Sequence, residues 1–366
     1  MTHEKLNFSL IKHNELKLFL VSVFKKIGCS TNHSTLAADV LLTADLRGID
    51  SHGAARLKGY IALWEKGRIN TKPKFKIIRE KNTTTTLDAD SALGLVSAPK
   101  AMEISIEKAE KYGSGWVSVC NSNHFGIAAY HAMKAIEKNM IGYSVTNASP
   151  LVAPAFSRER MLGTNPICYA IPAGKYPPIV IDMATSAAAN GKLEIAQRKK
   201  LQITQGWVQT ADGNTSTDPD ELKNGGSLLP LGSNENLGFH KGYALGSMVD
   251  IFSGVLSGAN FGPWVPPFVS FIDVLPNLPG KGIGHFVGAW QIDGFREIEE
   301  YNINIEKWIE RFKKSEPIDK NVKVLIPGEP EHYCYKDRIE NGIPIIENVI
   351  TDLKQIAEKF KLHHPF

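Results

Sequence analysis

The chain has 366 residues, 43% of them hydrophobic, which supplies a sizeable core for one large α/β domain or two to three smaller ones. Its 42 basic and 38 acidic side chains leave a formal net charge of +4, too weak a field to hold a polyanion, so nucleic acid is set aside as a partner. No stretch reaches the roughly 18 apolar residues that span a membrane, and Met1 is not followed by a basic flank and apolar run, so a cytoplasmic protein is expected.

Cys29, Cys120, Cys168 and Cys334 are scattered with no CxxC pair, as expected of free, mostly buried thiols. Neither HExxH nor a His/Cys cluster at ligand spacing occurs, so no metal is expected.

Near the N-terminus, Leu16, Phe19, Leu20, Val23, Phe24 and Ile27 recur at helical spacing, as do Leu36, Val40, Leu41 and Ala44 after a Ser/Thr/Asn-rich start. A third helix is predicted from Ala54 to a glycine stop at Gly67. Short β-rich runs follow from Pro73: FKIIRE, TTTTLDAD, GWVSVC, IGYSVT, ICYAIP and PIVIDM. Helices are predicted between them over 97–112, 124–138 and 187–200, an alternation that implies a mixed or parallel sheet faced by helices. Residues 242–257 read as another apolar helix, 258–284 as an ordered Gly/Pro-rich loop, HFVGAWQI as a strand and 346–360 as a C-terminal helix.

This alternation invites a nucleotide, yet no GxGxxG occurs; the nearest match, GKGIGH at 280–285, follows a Pro-rich loop instead of a strand. GxxxxGK[ST] is also missing. GTNP (163–166), IDMATSAAANGK (181–192) and FHKGYAL (239–245) do carry the small and hydroxyl residues of a backbone-amide cradle, with Thr185 and Ser186 just before a predicted helix. Singly, each is more simply a turn or a helix cap.

The histidines divide by setting. His3, His13, His33, His332, His363 and His364 lie in polar or terminal stretches and read as solvated, whereas His52 and His124 occupy glycine-flanked turns, DSHG and SNHFG. In the first turn, DLRGIDSHGAARL (45–57), a helix resuming at Gly53 would place His52 and Arg56 on one face, with Ser51 in reach of the imidazole. An imidazole suits proton delivery to an alkoxide, and a guanidinium grips a carboxylate through two parallel bonds. The plainer alternative is surface ion pairing by Asp45, Arg47 and Asp50 with Arg56 capping a helix. GxSxG is missing, because Ile49 stands two before Ser51, so a nucleophile elbow is unsupported.

In order along the chain, DLRGIDSHGAARL, SNHFG, GTNP, IDMATSxxxxGK and KGY resemble the malate/L-lactate dehydrogenase family of the sulfolactate dehydrogenase-like fold. The resemblance implies an α/β fold with a mixed sheet flanked by helices, not a Rossmann fold, binding NAD or NADP as a homodimer. It implies a helical region over 1–72 packing with 302–366, and a cofactor- and substrate-binding domain over 73–301. By the same resemblance, His52 moves the proton with Ser51 assisting, and His124 lines the nicotinamide and substrate pocket or itself acts as acid/base. Arg56 holds the substrate carboxylate, with Arg47 and Thr164 as further substrate contacts. Cofactor contacts are implied for His124, for Val180, Ile181, Asp182, Met183, Ala184, Thr185 and Ser186, for Lys241 and Gly242, and for Gly328 and Glu329.

The cyclic-imine reductase branch carries a relay aspartate where this chain has Lys192, and a charged lysine cannot accept the imidazole proton. That argues against the imine relay and leaves the keto/hydroxy-acid branches ahead: a malate- or lactate-like 2-hydroxy acid and its 2-keto partner first, with diketogulonate, ureidoglycolate, sulfolactate or a cyclic imine carboxylate as the alternative substrates. A non-catalytic metabolite-binding relative is the alternative from another class.

Overall fold

The computed structural model describes residues 8–366, so the reading of His3 as a solvated side chain lies outside the described residues. The chain opens with β1 (Phe8–Ile11), α1 (His13–Lys26) and α2 (Thr31–Leu46), and two single 3-10 turns, Asp50–His52 and Ala54–Arg56, lead into α3 (Leu57–Glu65). There follow β2 (Lys76–Glu80), β3 (Thr84–Asp88), α4 (Gly94–Tyr112), β4 (Ser114–Ser122), α5 (Ala128–Met133), β5 (Met140–Thr146), β6 (Ile167–Ile171), β7 (Ile179–Met183) and α6 (Asn190–Lys199). Three two-residue strands, β8 (Val208–Gln209), β9 (Thr215–Ser216) and β10 (Ser227–Leu228), precede α7 (Phe239–Asp250) and β11 (Ile283–Gln291). The chain ends in α8 (Ile298–Lys313), α9 (Glu329–Asn341), β12 (Ile343–Ile346) and α10 (Glu347–Phe360).

A seven-stranded sheet of order β2-β3-β4-β11-β5-β6-β7 forms the centre. Only β3 and β4 run parallel, because α4 is the one crossover between neighbouring strands; the other pairings are antiparallel. The sheet is therefore mixed, as read from the sequence, and its connectivity is not that of a doubly wound parallel fold. Side chains alternate across it. Val117, Val119, Val287 and Ala289 pack with Ala101 and Met102 of α4, while Tyr143, Val145, Trp116, Phe286 and Trp290 pack toward Val249 of α7.

The helical layer has its own core. Leu16, Phe19, Leu20, Val23 and Phe24 of α1 bury one stripe against α2, α3 and the C-terminal Ile343, Ile345, Val349 and Leu353. Strand β1 pairs with β12 antiparallel, tying the two ends of the chain together. Ile305 and Ile309 of α8 pack elsewhere, with Ala173, Ile179 and Ile326.

All six β-rich runs form strands, but several predicted helices begin elsewhere than their apolar pattern indicated. The helix predicted over 124–138 starts at Ala128, because Gly126 takes a positive φ of 80° and Ile127 is extended. The helix predicted from 187 starts at Asn190; the Ala187 amide donates to Leu229 O at 2.8 Å, and Ala189 is extended. The helix predicted over 242–257 begins earlier, at Phe239, and winds into a π-helical turn at Ile251–Val255. Ala54–Arg56 is a 3-10 turn, so helix α3 begins at Leu57. His332 is half-buried and lines a cavity, unlike the solvated side chain expected there.

Candidate active site

The turn at 50–56 is braced from below. Asp45, buried near the end of α2, accepts a hydrogen bond from the Ala54 amide at 2.8 Å. Gly53 lies so close that a Cβ there would stand 1.8 Å from the Asp45 carboxylate. From α9, Arg338 donates to Asp45 O and pairs with the Asp50 carboxylate. The sharp turn thus presents three neighbouring polar side chains in a fixed order.

Ser51 Oγ lies 2.9 Å from His52 Nδ1. Arg56 donates from Nε to Ser51 O, and its Nη2 lies 3.5 Å from Glu194 of α6. His124 comes from the loop after β4, and its ring stacks near-parallel on His52, centroids 5.8 Å apart and planes at 23°. That loop is pinned by Asn123, whose amide donates to Ser91 O and Ala92 O at 3.0 Å each. Four residues from two distant stretches of sequence, Ser51, His52, Arg56 and His124, therefore share one site.

Electrostatics keeps both imidazoles neutral. Burial, and then the Arg56 charge, push His52 down to about 3. Burial lowers His124 well below its ordinary value, with the neighbouring His52 and Arg56 adding to the effect.

Two residues missed by sequence reasoning complete this wall. Tyr60 of α3 is fully buried, and its hydroxyl lies 2.7 Å from His124 Nδ1. Its signal was the four-residue spacing from Arg56, which continues the face on which His52 and Arg56 were sought. Phe268, from the 258–284 loop, packs its ring 4.6 Å from His124 and 5.1 Å from Tyr60, so this part of the loop closes over the site.

The remaining sequence candidates divide into two groups. Thr164, Thr185 and Ser186 meet around the turn after β7: Thr164 O accepts from the Thr185 amide at 2.9 Å, and Ser186 Oγ donates to Ala188 O. Gly242 packs against the Leu231 backbone on the same side, while Lys241 is exposed. Within β7, Ile181 pairs with Tyr169, Met183 is partly exposed, and Ala184 follows the strand. Asp182 accepts from the Ala129 amide at the start of α5, at 2.9 Å.

Arg47, Val180 and Gly328 line a separate cavity of about 430 Å³, together with Lys134, His332 and Lys336. Arg47 is buried, with Asp182 and Glu331 nearby, and its Nε has no hydrogen-bond partner among the described residues. Neither His52 nor Arg56 lines this cavity, so Arg47 stands with the residues expected at the cofactor and apart from the other substrate candidates. Glu329 is engaged elsewhere, by Lys313, Tyr333 and the Ile326 amide. Lys192 stands at the start of α6 with its ammonium 5.4 Å over the Trp207 ring. Among the described residues no group of three or more His, Cys, Asp or Glu could hold a metal.

Residues 11–354 match the malate/L-lactate dehydrogenase family. The chain belongs to that family. It is 43% identical to a malate dehydrogenase of Pyrococcus abyssi over 354 residues, 96% of this chain and 95% of that protein. It is 35% identical to a malate/(S)-sulfolactate dehydrogenase of Methanothermus fervidus, over 96% of this chain and 98% of that one. The solved malate dehydrogenase of Pyrococcus horikoshii superposes with a TM-score of 0.88 at 38% identity, covering 98% of each chain. Family membership accounts for the missing dinucleotide fingerprint: this is a nicotinamide-dependent 2-hydroxy acid dehydrogenase on a mixed, mainly antiparallel sheet.

Proposed function

We propose that the protein interconverts a small malate- or lactate-like 2-hydroxy acid and its 2-keto acid, with His52 moving the proton and Arg56 holding the carboxylate. The observation that carries this reading is the convergence of Ser51, His52, Arg56 and His124 within hydrogen-bonding and stacking distance. When bound, NAD or NADP would supply a hydride acceptor for oxidation at the alcohol carbon and a hydride donor for reduction at the carbonyl carbon. His52 accepts the hydroxyl proton in oxidation, for which its neutral resting form is suited, and returns it to the oxygen in reduction. A substrate carboxylate on Arg56 cancels the charge that helps keep His52 deprotonated, which links binding to proton uptake. Thr164, beside the turn after β7, is proposed as a further substrate contact.

The cofactor is proposed to run along β7 from Val180 to Ser186, with Gly242 and Lys241 on one side and Gly328 and Glu329 on the other. The unpartnered Nε of buried Arg47, flanked by Lys134 and Lys336, fits a phosphate group there better than it fits a substrate acid. The four free cysteines suit a reducing compartment, which favours the cytoplasm. A homodimer is proposed through the half-covered face of the sheet beside α7.

A spectrophotometric panel of NADH and NADPH against pyruvate, oxaloacetate and related keto acids tests the substrate class and the cofactor together. His52→Ala is expected to lower turnover at least about a hundredfold with cofactor binding retained. Near-normal turnover would move the proton role to another group.

A further inference from the structure

We propose that Tyr60 is a positioning residue that fixes His124 as its Nε2–H tautomer, so that His124 donates a hydrogen bond to the substrate oxygen while His52 carries the transferred proton. The inference rests on the hydroxy acid reading above and divides the roles of the two histidines.

The two imidazoles have different partners at Nδ1. His52 Nδ1 meets Ser51 Oγ at 2.9 Å, and a hydroxyl can either donate or accept, so His52 can gain and lose a proton without breaking that contact. His124 Nδ1 meets the Gly126 amide at 3.3 Å, and a backbone N–H can only donate. It also meets Tyr60 Oη at 2.7 Å, whereas the same hydroxyl lies 3.4 Å from His124 O, so the Tyr60 proton is directed at the ring nitrogen. A proton on His124 Nδ1 would face the Gly126 N–H. The neutral ring therefore carries its hydrogen on Nε2, which has no protein partner among the described residues and is left to meet a substrate. Forming an imidazolium at His124 would require the Gly126 amide to turn away, and Gly126 is held at a φ of 80° next to Val40 and Leu95.

Tyr60 is rigid enough for this task. It is fully buried, sits four residues beyond Arg56, and packs edge-on against Phe268, which also covers the His124 ring. Loss of the hydroxyl leaves the weaker Gly126 contact as the sole determinant of the tautomer. In reduction the hydride adds to the carbonyl carbon, negative charge develops on oxygen, Nε2–H stabilises it, and the proton that neutralises it comes from His52.

The test uses the full-length protein labelled with 15N-histidine, with His124→Gln identifying the His124 signals. In the wild-type resting protein, His124 Nδ1 is expected to show the shift of an unprotonated, hydrogen-bonded nitrogen and Nε2 that of a protonated one. In Tyr60→Phe, which keeps the ring and its packing, the two shifts are expected to move toward a tautomer average. The same variant is expected to lose on the order of ten- to a hundredfold in kcat, short of the loss that removing a whole oxyanion donor brings, with KM for the keto acid within about threefold. A protonated Nδ1 in the wild type, or a Tyr60→Phe spectrum and kcat unchanged from wild type, would overturn the assignment. The spectrum is read without substrate, so a failure to turn over any keto acid counts against the hydroxy acid reading and leaves the tautomer result standing.

Discussion

Asp45 is a buried carboxyl with one hydrogen bond from Ala54 and, among the described residues, no ion pair of its own. Burial, opposed by the Ala54 amide, raises it to about 8. An unfolded chain would release that proton near the ordinary value of 3.8, so the group's contribution to stability is complete below 3.8 and is lost progressively as pH rises to about 8. Half-buried His52 and buried His131 and His285 act in the opposite sense. Burial lowers each to about 3 from 6.5, so their contribution is complete above 6.5 and is lost as pH falls toward 3. Asparagine at 45 keeps an oxygen for the Ala54 amide and has no proton to shed. Melting temperatures of Asp45→Asn and wild type, compared from about pH 4 to pH 9, should therefore diverge in favour of the variant as pH rises, and then run parallel above about pH 8. A difference that does not change with pH would show that Asp45 is ionised in the fold throughout this range.

At the level of elements, α6 is the piece that docks on the turn at 50–56, and Gly191 is its point of closest approach. A Cβ at Gly191 would stand 2.7 Å from Ser51 Cβ and 3.4 Å from Arg56 Nη2. Gly191 has no positive φ, so alanine suits the helix itself and stabilises it by about 0.5–1 kcal/mol. Gly191→Ala is thus expected to change the melting temperature little, because the contact with Ser51 offsets the helix gain, while kcat/KM falls on the order of a hundredfold, the effect of a misplacement near 1 Å. Activity within about twofold of wild type would mean that α6 yields without disturbing Ser51.

The same helix shows where sequence reasoning reaches its limit. The strands and the polar turns were legible because alternation and glycine-flanked polar residues are local signals. Ala187, Ala188 and Ala189 have high helix propensity, yet this segment is drawn out by the hydrogen bond from Ala187 to Leu229, 42 positions along the chain. Likewise His124 was singled out by its own setting, but its partners Tyr60 and Phe268 come from positions 64 residues before and 144 after it. Ser51, His52 and Arg56 belong to one short stretch, so their grouping was visible in advance. The position of Arg47, in a different cavity from its neighbour Arg56, was not: the chain reverses between them through Gly48 and Gly53.

On the scale of the whole molecule, the central sheet is unevenly covered. One face lies under α4 and α5. The other carries Trp116, Tyr143, Tyr169, Phe286 and Trp290 in mutual ring contact, crossed by α7 and its π-helical extension, where the tilted ring of Phe252 lies 5.4 Å from that of Phe286. Beyond Phe252, the extension turns Ile251, Val255 and Leu256 outward, at 52%, 52% and 58% exposed. This clustering is more than the scattered apolar residues of a monomer surface. A two-fold related copy of the same face would bury these residues against their equivalents, since an isologous interface needs only a self-complementary patch. Val255→Asp and Leu256→Asp discriminate between the possibilities, because aspartate on a free surface is close to neutral whereas in a dimer contact it buries an unpaired charge. Light scattering after size exclusion should give twice the chain mass for wild type and the single chain mass for the double variant. The wild-type melting temperature should also rise with protein concentration, as mass action requires of an assembled native state, while that of the variant should not. Wild-type protein that runs at one chain mass, with melting independent of concentration, would leave the α7 face uncovered and exclude the two-fold assembly.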